Sequence, residues 1–262
     1  GKTIIFITHK LGEAMEAADD ITVLRDGRNV GTVAAKAAER ESLAEMMVGR
    51  EVLMEVEKPP VEPGDPILDV DDLTVRNDRD VLAVKDVSLT VREGEILGIA
   101  GVDGNGQAEL VEAISGLRTE EAGRIRLGEQ SITDWSRLQR IQNGMAYIPE
   151  DRQERGLVMD FDLVENGILG SQHSQPFGHN GRIDWDSAED HAETIVDEFD
   201  VRPGETDVTA VSLSGGNQQK FIVGREFQRD PRLMLATHPT RGVDVGSTEY
   251  IHDRLIELRT DG

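Results

Sequence analysis

Hydrophobic positions change their period several times along the chain. Ile4-Ile5-Phe6-Ile7 is an unbroken apolar run directly after Gly1-Lys2-Thr3, which predicts a buried strand. After Thr8-His9, Leu11, Met15 and Ala18 recur on one face of a short predicted helix. Ile21–Leu24 and Asn29–Val33 read as two strands joined by the hairpin signal Arg25-Asp26-Gly27-Arg28. Glu39–Val48 reads as an amphipathic helix carrying Leu43, Met46 and Met47, with Gly49 placed to cap it. Lys58–Pro66 then holds four of the nine prolines, so regular structure is not expected there and a domain boundary is.

The pattern restarts after this linker. Ile67–Val75 and Val84–Val91 alternate apolar and polar residues around a turn at Asn77–Asp80, the mark of half-buried antiparallel strands. Glu95–Ala100, Met145–Ile148 and Leu233–Ala236 read as short buried strands. Gly101–Gly106 reads as a glycine loop, and Gln107–Ser115 as a helix ended by Gly116. Roughly from Asp151 to Gln228 the chain is more helical and acid-rich. Strands alternating with helices predict an α/β domain with a mainly parallel sheet.

Charge narrows the classes of function. Against 51 Asp and Glu there are 28 Lys and Arg, a formal net charge of −23. Such a chain repels phosphate backbones and anionic lipid, which speaks against general nucleic-acid or membrane-surface binding. The basic residues are 22 Arg and only six Lys. An acid-rich, Lys-poor composition fits a protein of a halophile, kept soluble in concentrated salt where self-repulsion is screened; an ordinary acidic cytosolic protein is the alternative. There is no Cys, which excludes disulfides, thiolate metal sites and a Cys nucleophile. No apolar run approaches the ~20 residues of a spanning helix, and no signal peptide is expected.

Three segments carry candidate chemistry. Gly101-Val102-Asp103-Gly104-Asn105-Gly106-Gln107-Ala108 lies between a predicted strand and a predicted helix, the setting of the phosphate loop G-x-x-x-x-G-K-[ST]. Glycines let backbone N–H groups turn inward around a phosphate, and a helix N-terminus adds favourable dipole. However, Gln107 stands where a Lys would reach the β- and γ-phosphates, and Ala108 where a hydroxyl would hold Mg²⁺. The residues alone leave two readings open, a degenerate phosphate cradle and a tight glycine turn. In the second segment, Ser214 is placed to cap a helix, Gly215-Gly216 leave amides open, and Gln218 and Lys220 follow. Taken alone, that pattern reads first as a capped core helix, since such caps are common. The third segment is the apolar strand Leu233–Ala236 running into Thr237-His238-Pro239-Thr240-Arg241-Gly242-Val243-Asp244. His173 and His179 fall in a predicted exposed loop without the compact ligand set of a metal site.

In this order after one linker, the three segments resemble the ATP-binding subunits of ABC transporters. Within them the chain resembles the tandem ATPases of sugar and nucleoside importers. The stretches that carry the resemblance are GVDGNGQAELVEAISGL, AYIPEDRQERGLVMDF, LSGGNQQKFIVGRE and HPTRGVDVGS, similar to the second half of such proteins. IIFITHKLGEAMEAADDITVLRDGRNVGTV is similar to the end of the first half. The resemblance implies a P-loop NTPase-like fold with a mainly parallel core sheet, an antiparallel β subdomain and a helical subdomain near 151–228. It implies residues 1–57 as the end of a first ATP-binding domain, 58–66 as linker and 67–262 as a second domain lacking its last strands.

The family's roles map onto individual residues. His9 matches the switch His of the first half, and Glu150 takes the Q-loop position, where the family has Gln. Ser214, Gly215, Gly216 and Gln218 match the signature, and Asp244 the D-loop. Thr237 and His238 stand where a metal-holding Asp and a catalytic Glu are expected. No aromatic residue occurs between Leu73 and Val91, where the family stacks adenine. The implied cofactors are ATP and Mg²⁺, with Mg²⁺ weak or absent at the degenerate site. The implied partners are membrane permease subunits, a solute-binding lipoprotein acting indirectly, and a second ATP-binding half paired head to tail at the cytoplasmic face of the membrane. Two alternatives stay open: a nucleotide-responsive scaffold without turnover, and a soluble ABC-type protein acting on nucleic acid. The sequence also predicts that Ile4–Ile7 packs beside Glu95–Ala100 and Leu233–Ala236, bringing Gly1 near Gly262.

Overall fold

A computed structural model describes residues 1–25, 27–51 and 58–261. The chain divides into two compact units, one comprising 1–59 and 242–255, the other 60–241 and 256–262. Asp26 of the predicted hairpin turn, the expected domain end at residue 57, and Gly262 lie outside the described residues.

In the first unit, helix α1 (Leu11–Ala17) precedes strands β1 (Asp20–Arg25) and β2 (Arg28–Ala34). The strands pair antiparallel with Thr22 opposite Thr32. Helix α2 (Arg40–Val48) ends at Gly49, whose φ of 87° lets its N–H return to the Glu45 carbonyl at 2.7 Å. Leu11, Val23, Leu43 and Ala44 form the core, with Met15, Met46, Met47 and Val245 packed against it. One sequence expectation is corrected here. Ile4–Ile7 forms no strand, and Ile4, Ile5 and Ile7 are 82%, 90% and 91% exposed. An apolar run becomes a strand only where a sheet edge takes up its N–H and C=O groups. Among the described residues β1 and β2 pair only with each other, so Ile4–Ile7 has no ladder to join.

The second unit begins with an antiparallel sheet of order β4-β3-β5-β6. Its strands are β3 (Pro66–Arg76), β4 (Leu82–Arg92), β5 (Ala122–Leu127) and β6 (Gln130–Ser131). Val70 lies opposite both Leu89 and Ile125. Helix α3 (Gln107–Ser115) packs Leu110, Ala113 and Ile114 into the core built on Leu68, Leu73 and Ile125. Helix α4 (Arg137–Gln142) starts with a capping box between Ser136 and Gln139. It leads into β7 (Met145–Ile148), buried throughout. A single π-helical turn (Arg152–Gly156) and helix α5 (Leu163–Gly167) follow. Next come the hairpin β8 (Gly178–His179) and β9 (Arg182–Ile183), then helix α6 (Trp185–Glu198). Helix α7 (Gly215–Phe227) buries Phe221, Ile222 and Val223, and β10 (Leu233–Ala236) pairs parallel to β7 with Leu233 opposite Met145. Helix α8 (Val245–Asp261) begins in the first unit.

A second expectation is corrected in this unit. Glu95–Ala100 is not a strand, and Ile96, Leu97 and Ile99 are about half exposed. The parallel pairing seen among the described residues is β10 with β7, and Glu95–Ala100 does not enter that ladder. The predicted insertion of Ile4–Ile7 beside it therefore does not occur. No helix among the described residues is long and apolar enough to cross a membrane.

With a net charge of −23, stability should rise with salt. Going from about 0.01 M to about 1 M NaCl shortens the screening length from about 30 Å to about 3 Å. The urea midpoint of the purified chain is expected to increase over that range. A flat or falling midpoint would remove the salt-adaptation reading.

Candidate functional site

The glycine loop joins the extended Glu95–Ala100 segment to α3. Gly104 and Gly106 have φ of 85° and 96°. A Cβ on Gly106 would lie 2.5 Å from the Ala83 carbonyl oxygen, so only glycine fits where the loop passes β4. Among the described residues, the N–H groups of Gly104, Gly106, Gln107 and Ala108 have no hydrogen-bond partner. The Gln107 side chain turns back and donates from Nε2 to the Val102 carbonyl at 3.1 Å, beside the Asn105 amide at 3.0 Å on the same oxygen. Val102, Asp103 and Ala108 are exposed.

Open amides at the start of a helix fit the anionic phosphates of a nucleotide. They do not fit Mg²⁺, because Ala108 presents a methyl group and Gln107 a neutral amide. Among the described residues no three His, Asp or Glu side chains converge as metal ligands.

A second cluster forms where the parallel strands end. Ligands in open α/β sheets lie beyond the carboxyl ends of the strands, and here both β7 and β10 deliver polar loops to that edge. The Thr237 N–H donates to the Ile148 carbonyl at 2.9 Å, extending the ladder by one residue. His238 then adopts φ of 47°, the left-handed region, and its carbonyl accepts the Arg241 N–H at 2.9 Å. Glu150, leaving β7, forms an ion pair with Arg241. The N–H groups of Glu154 and Gln153 hold the Asp151 carboxyl below its usual range, since both donate to the charged form.

Helix α7 closes this edge. The Ser214 hydroxyl accepts the Asn217 N–H at 3.4 Å and its side-chain amide at 3.0 Å. Buried Gln218 donates to the Ala210 and Leu213 carbonyls at 3.0 and 3.3 Å. Gln219 donates to the Pro239 carbonyl at 2.8 Å. The start of α7, the loop after β7 and the loop after β10 are thereby locked together.

The structure thus brings Glu150, Ser214, Gly215, Gly216, Gln218, Thr237 and His238 to one edge of the second unit. The glycine loop connects to it through α3, where Glu112 pairs with Arg155 of the π-helical turn at 2.5 Å and with Arg118 at 2.7 Å. His9 and Asp244 belong to the first unit. His9 is exposed, and the Asp244 carboxylate accepts from the Ser247 N–H and hydroxyl at 3.0 and 2.7 Å. Sequence reasoning did not single out Arg152, Arg155, Arg241, Glu112 or Gln219. For Arg152 and Arg155 the sequence signal is two Arg within Glu150–Arg155; Arg241, Glu112 and Gln219 carry none.

Residues 84–241 match the ABC transporter family. The chain is 47% identical over its whole length to the glucose import ATP-binding protein of Haloferax volcanii, covering 48% of that protein. It is 45% identical to the nucleoside import ATP-binding protein of Lactococcus lactis, covering 52%, and 44% identical to the guanosine import ATP-binding protein of Bacillus subtilis, covering 51%. The chain therefore spans about half the length of the curated relatives it matches. Its fold is similar to that of a dimeric ATP-binding cassette in a post-hydrolysis state bound to ADP and Pi. That match has a TM-score of 0.63 at 21% identity, covering 74% of this chain and 84% of the other. A nucleotide-free cassette gives 0.60 at 21% identity, covering 76% and 79%. With the glycine loop leading into α3, the capped signature-like helix and these matches, the chain belongs to the ABC transporter family and has the fold of its ATP-binding cassettes.

Proposed function

We propose that this chain is part of a tandem ATP-binding subunit of an importer for simple sugars or nucleosides. Residues 1–57 are the end of a first ATP-binding domain, 58–66 a linker, and 67–262 most of a second. The sugar and nucleoside importers among the relatives, matched over the full chain at about half their own length, support this division. The two halves pair head to tail. Permease subunits take up the motion at the cytoplasmic face of the membrane, and a solute-binding lipoprotein delivers the solute to them.

The observation that supports the site assignment is the glycine loop, where Gly104 and Gly106 take positive φ, Gln107 bonds its own loop and Ala108 offers no metal ligand. In this reading Gly101–Ala108 bind phosphates weakly. Glu150 holds Arg241, Thr237 and His238 supply no carboxylate, and the site hydrolyses poorly. Ser214, Gly215, Gly216 and Gln218 instead complete the competent site across the pairing interface. His9 contributes to that site from the first half, and Asp244 crosses to it. Bound ATP supplies the anhydride bond whose cleavage resets the pair. The chain's own residues orient and bind the phosphates.

Purified by itself, this chain is expected to show no measurable Mg²⁺-dependent ATP turnover. A robust turnover that disappears on substituting Gly106 would overturn the assignment. The same loop favours a second reading, a nucleotide-responsive scaffold without turnover. Solute-stimulated ATP hydrolysis by the full-length protein with its permease would exclude that.

A further inference from the structure

Arg152 has a placement that nothing above uses. It opens the π-helical turn just beyond β7, and its Nη1 donates to the Arg241 carbonyl at 2.9 Å. This carries the guanidinium over the first residue of α7. A Cβ on Gly215 would lie 3.0 Å from Arg152 Cζ, so the approach depends on glycine there.

Three observations make this cation unusual. Among the described residues no carboxylate forms an ion pair with it. Glu150 is engaged by Arg241, and Asp151 accepts the backbone N–H groups of Gln153 and Glu154. Arg152 Nε is buried without a hydrogen-bond partner. The guanidinium also lies against the positive end of a 13-residue helix, where another positive charge is unfavourable and an anion is favoured. Acidic residues outnumber basic ones 51 to 28, so the absence of a contact ion pair here does not follow from composition. An anion at this point answers the first and the third: it pairs the charge and meets the Gly215 and Gly216 N–H groups, which have no partner among the described residues.

We propose that Arg152 is a further phosphate-binding residue, its guanidinium joining the Ser214 hydroxyl and the Gly215 and Gly216 amides to take the terminal phosphate of a nucleoside triphosphate presented by a second cassette. The proposal rests on the signature reading of Ser214–Gly216. It adds a charged donor to a site otherwise made of neutral ones. A guanidinium binds phosphate through parallel N–H donors, which a Lys or Gln cannot reproduce.

The test is a titration of the purified ¹⁵N-labelled chain with inorganic phosphate at constant ionic strength, following the Gly215, Gly216 and Asn217 amide signals. Wild type is expected to give a saturable shift. Arg152→Gln should weaken it about tenfold, in line with the loss of one charge-assisted contact. Arg152→Lys should fall between the two, with the thermal midpoint unchanged in both. Identical titrations for wild type and Arg152→Gln, or no saturable shift in wild type, overturn the role of Arg152. A loss of signal dispersion in Arg152→Gln would mean a folding role. Arg152→Met, which keeps the stem packing, then decides: unchanged phosphate binding in that variant overturns the proposal. The underlying signature reading fails by a different result, full transport by a Ser214→Arg full-length protein.

Discussion

Arg140→Met is expected to destabilise the second unit by about 3–5 kcal/mol, a large share of the 5–15 kcal/mol typical of a folded domain. Arg140 is 1% exposed and has no ion-pair partner among the described residues. Its guanidinium serves five carbonyls. Nη1 donates to Ala113 and Ile114 at 2.6 Å each, Nη2 to Ile132 and Thr133 at 2.9 and 3.0 Å, and Nε to Trp135 at 3.2 Å. Two of these acceptors are the last-turn carbonyls of α3, which lack partners inside their own helix and carry its negative end. Methionine has a similar volume; the Ala113 and Ile132 carbonyls keep the N–H groups of Gly116 and Trp135, but those of Ile114, Thr133 and Trp135 lose their donor, at about 1–3 kcal/mol for each group orphaned. Burial lowers the guanidinium's pKa, consistent with a charge held by dipoles rather than by a carboxylate. Urea unfolding of the purified variant checks this. A loss below about 1 kcal/mol would mean that water or a shifted backbone satisfies the carbonyls instead.

In the full-length protein, under the function proposed above, Ser214→Arg is expected to abolish transport, while Gln107→Ala leaves it within about twofold of wild type. Ser214 is exposed at the head of α7, so its replacement costs about 1 kcal/mol of capping, too little to unfold the domain. A second guanidinium beside Arg152 would fill the space over Gly215 and Gly216 and block the approach of a phosphate from the opposing half. Gln107, by contrast, already lacks the charge that phosphoryl transfer requires, and its amide is spent on the Val102 carbonyl. Solute uptake by reconstituted protein, with thermal unfolding as a control, measures both. Equal losses from the two substitutions would sink the asymmetric pair of sites.

Local signals carried a large part of the fold. The alternation in Ile67–Val75 and Val84–Val91 produced an antiparallel pair because each residue's facing follows from its own period of two. The Ser214 cap, the Gly49 terminator and the strands Met145–Ile148 and Leu233–Ala236 were equally legible, since caps and short apolar runs need only neighbouring residues. The same rule misread Ile4–Ile7 and Glu95–Ala100. Both have the apolar content of buried strands, but a strand is completed by a partner far along the chain, and composition does not say whether one is in register.

The candidate site divides in the same way. The glycine loop and the start of α7 are local motifs, and the sequence alone located both. Arg152 reaching the carbonyl of a residue 89 positions away, Glu150 engaging Arg241 across 91, and Arg140 closing α3 from another helix were set only by tertiary packing. A charged residue in sequence reads as solvated surface. Only the fold determines which carbonyls, carboxylates or helix ends surround it, and so whether it becomes a cap, an ion pair or a cation outside any contact ion pair.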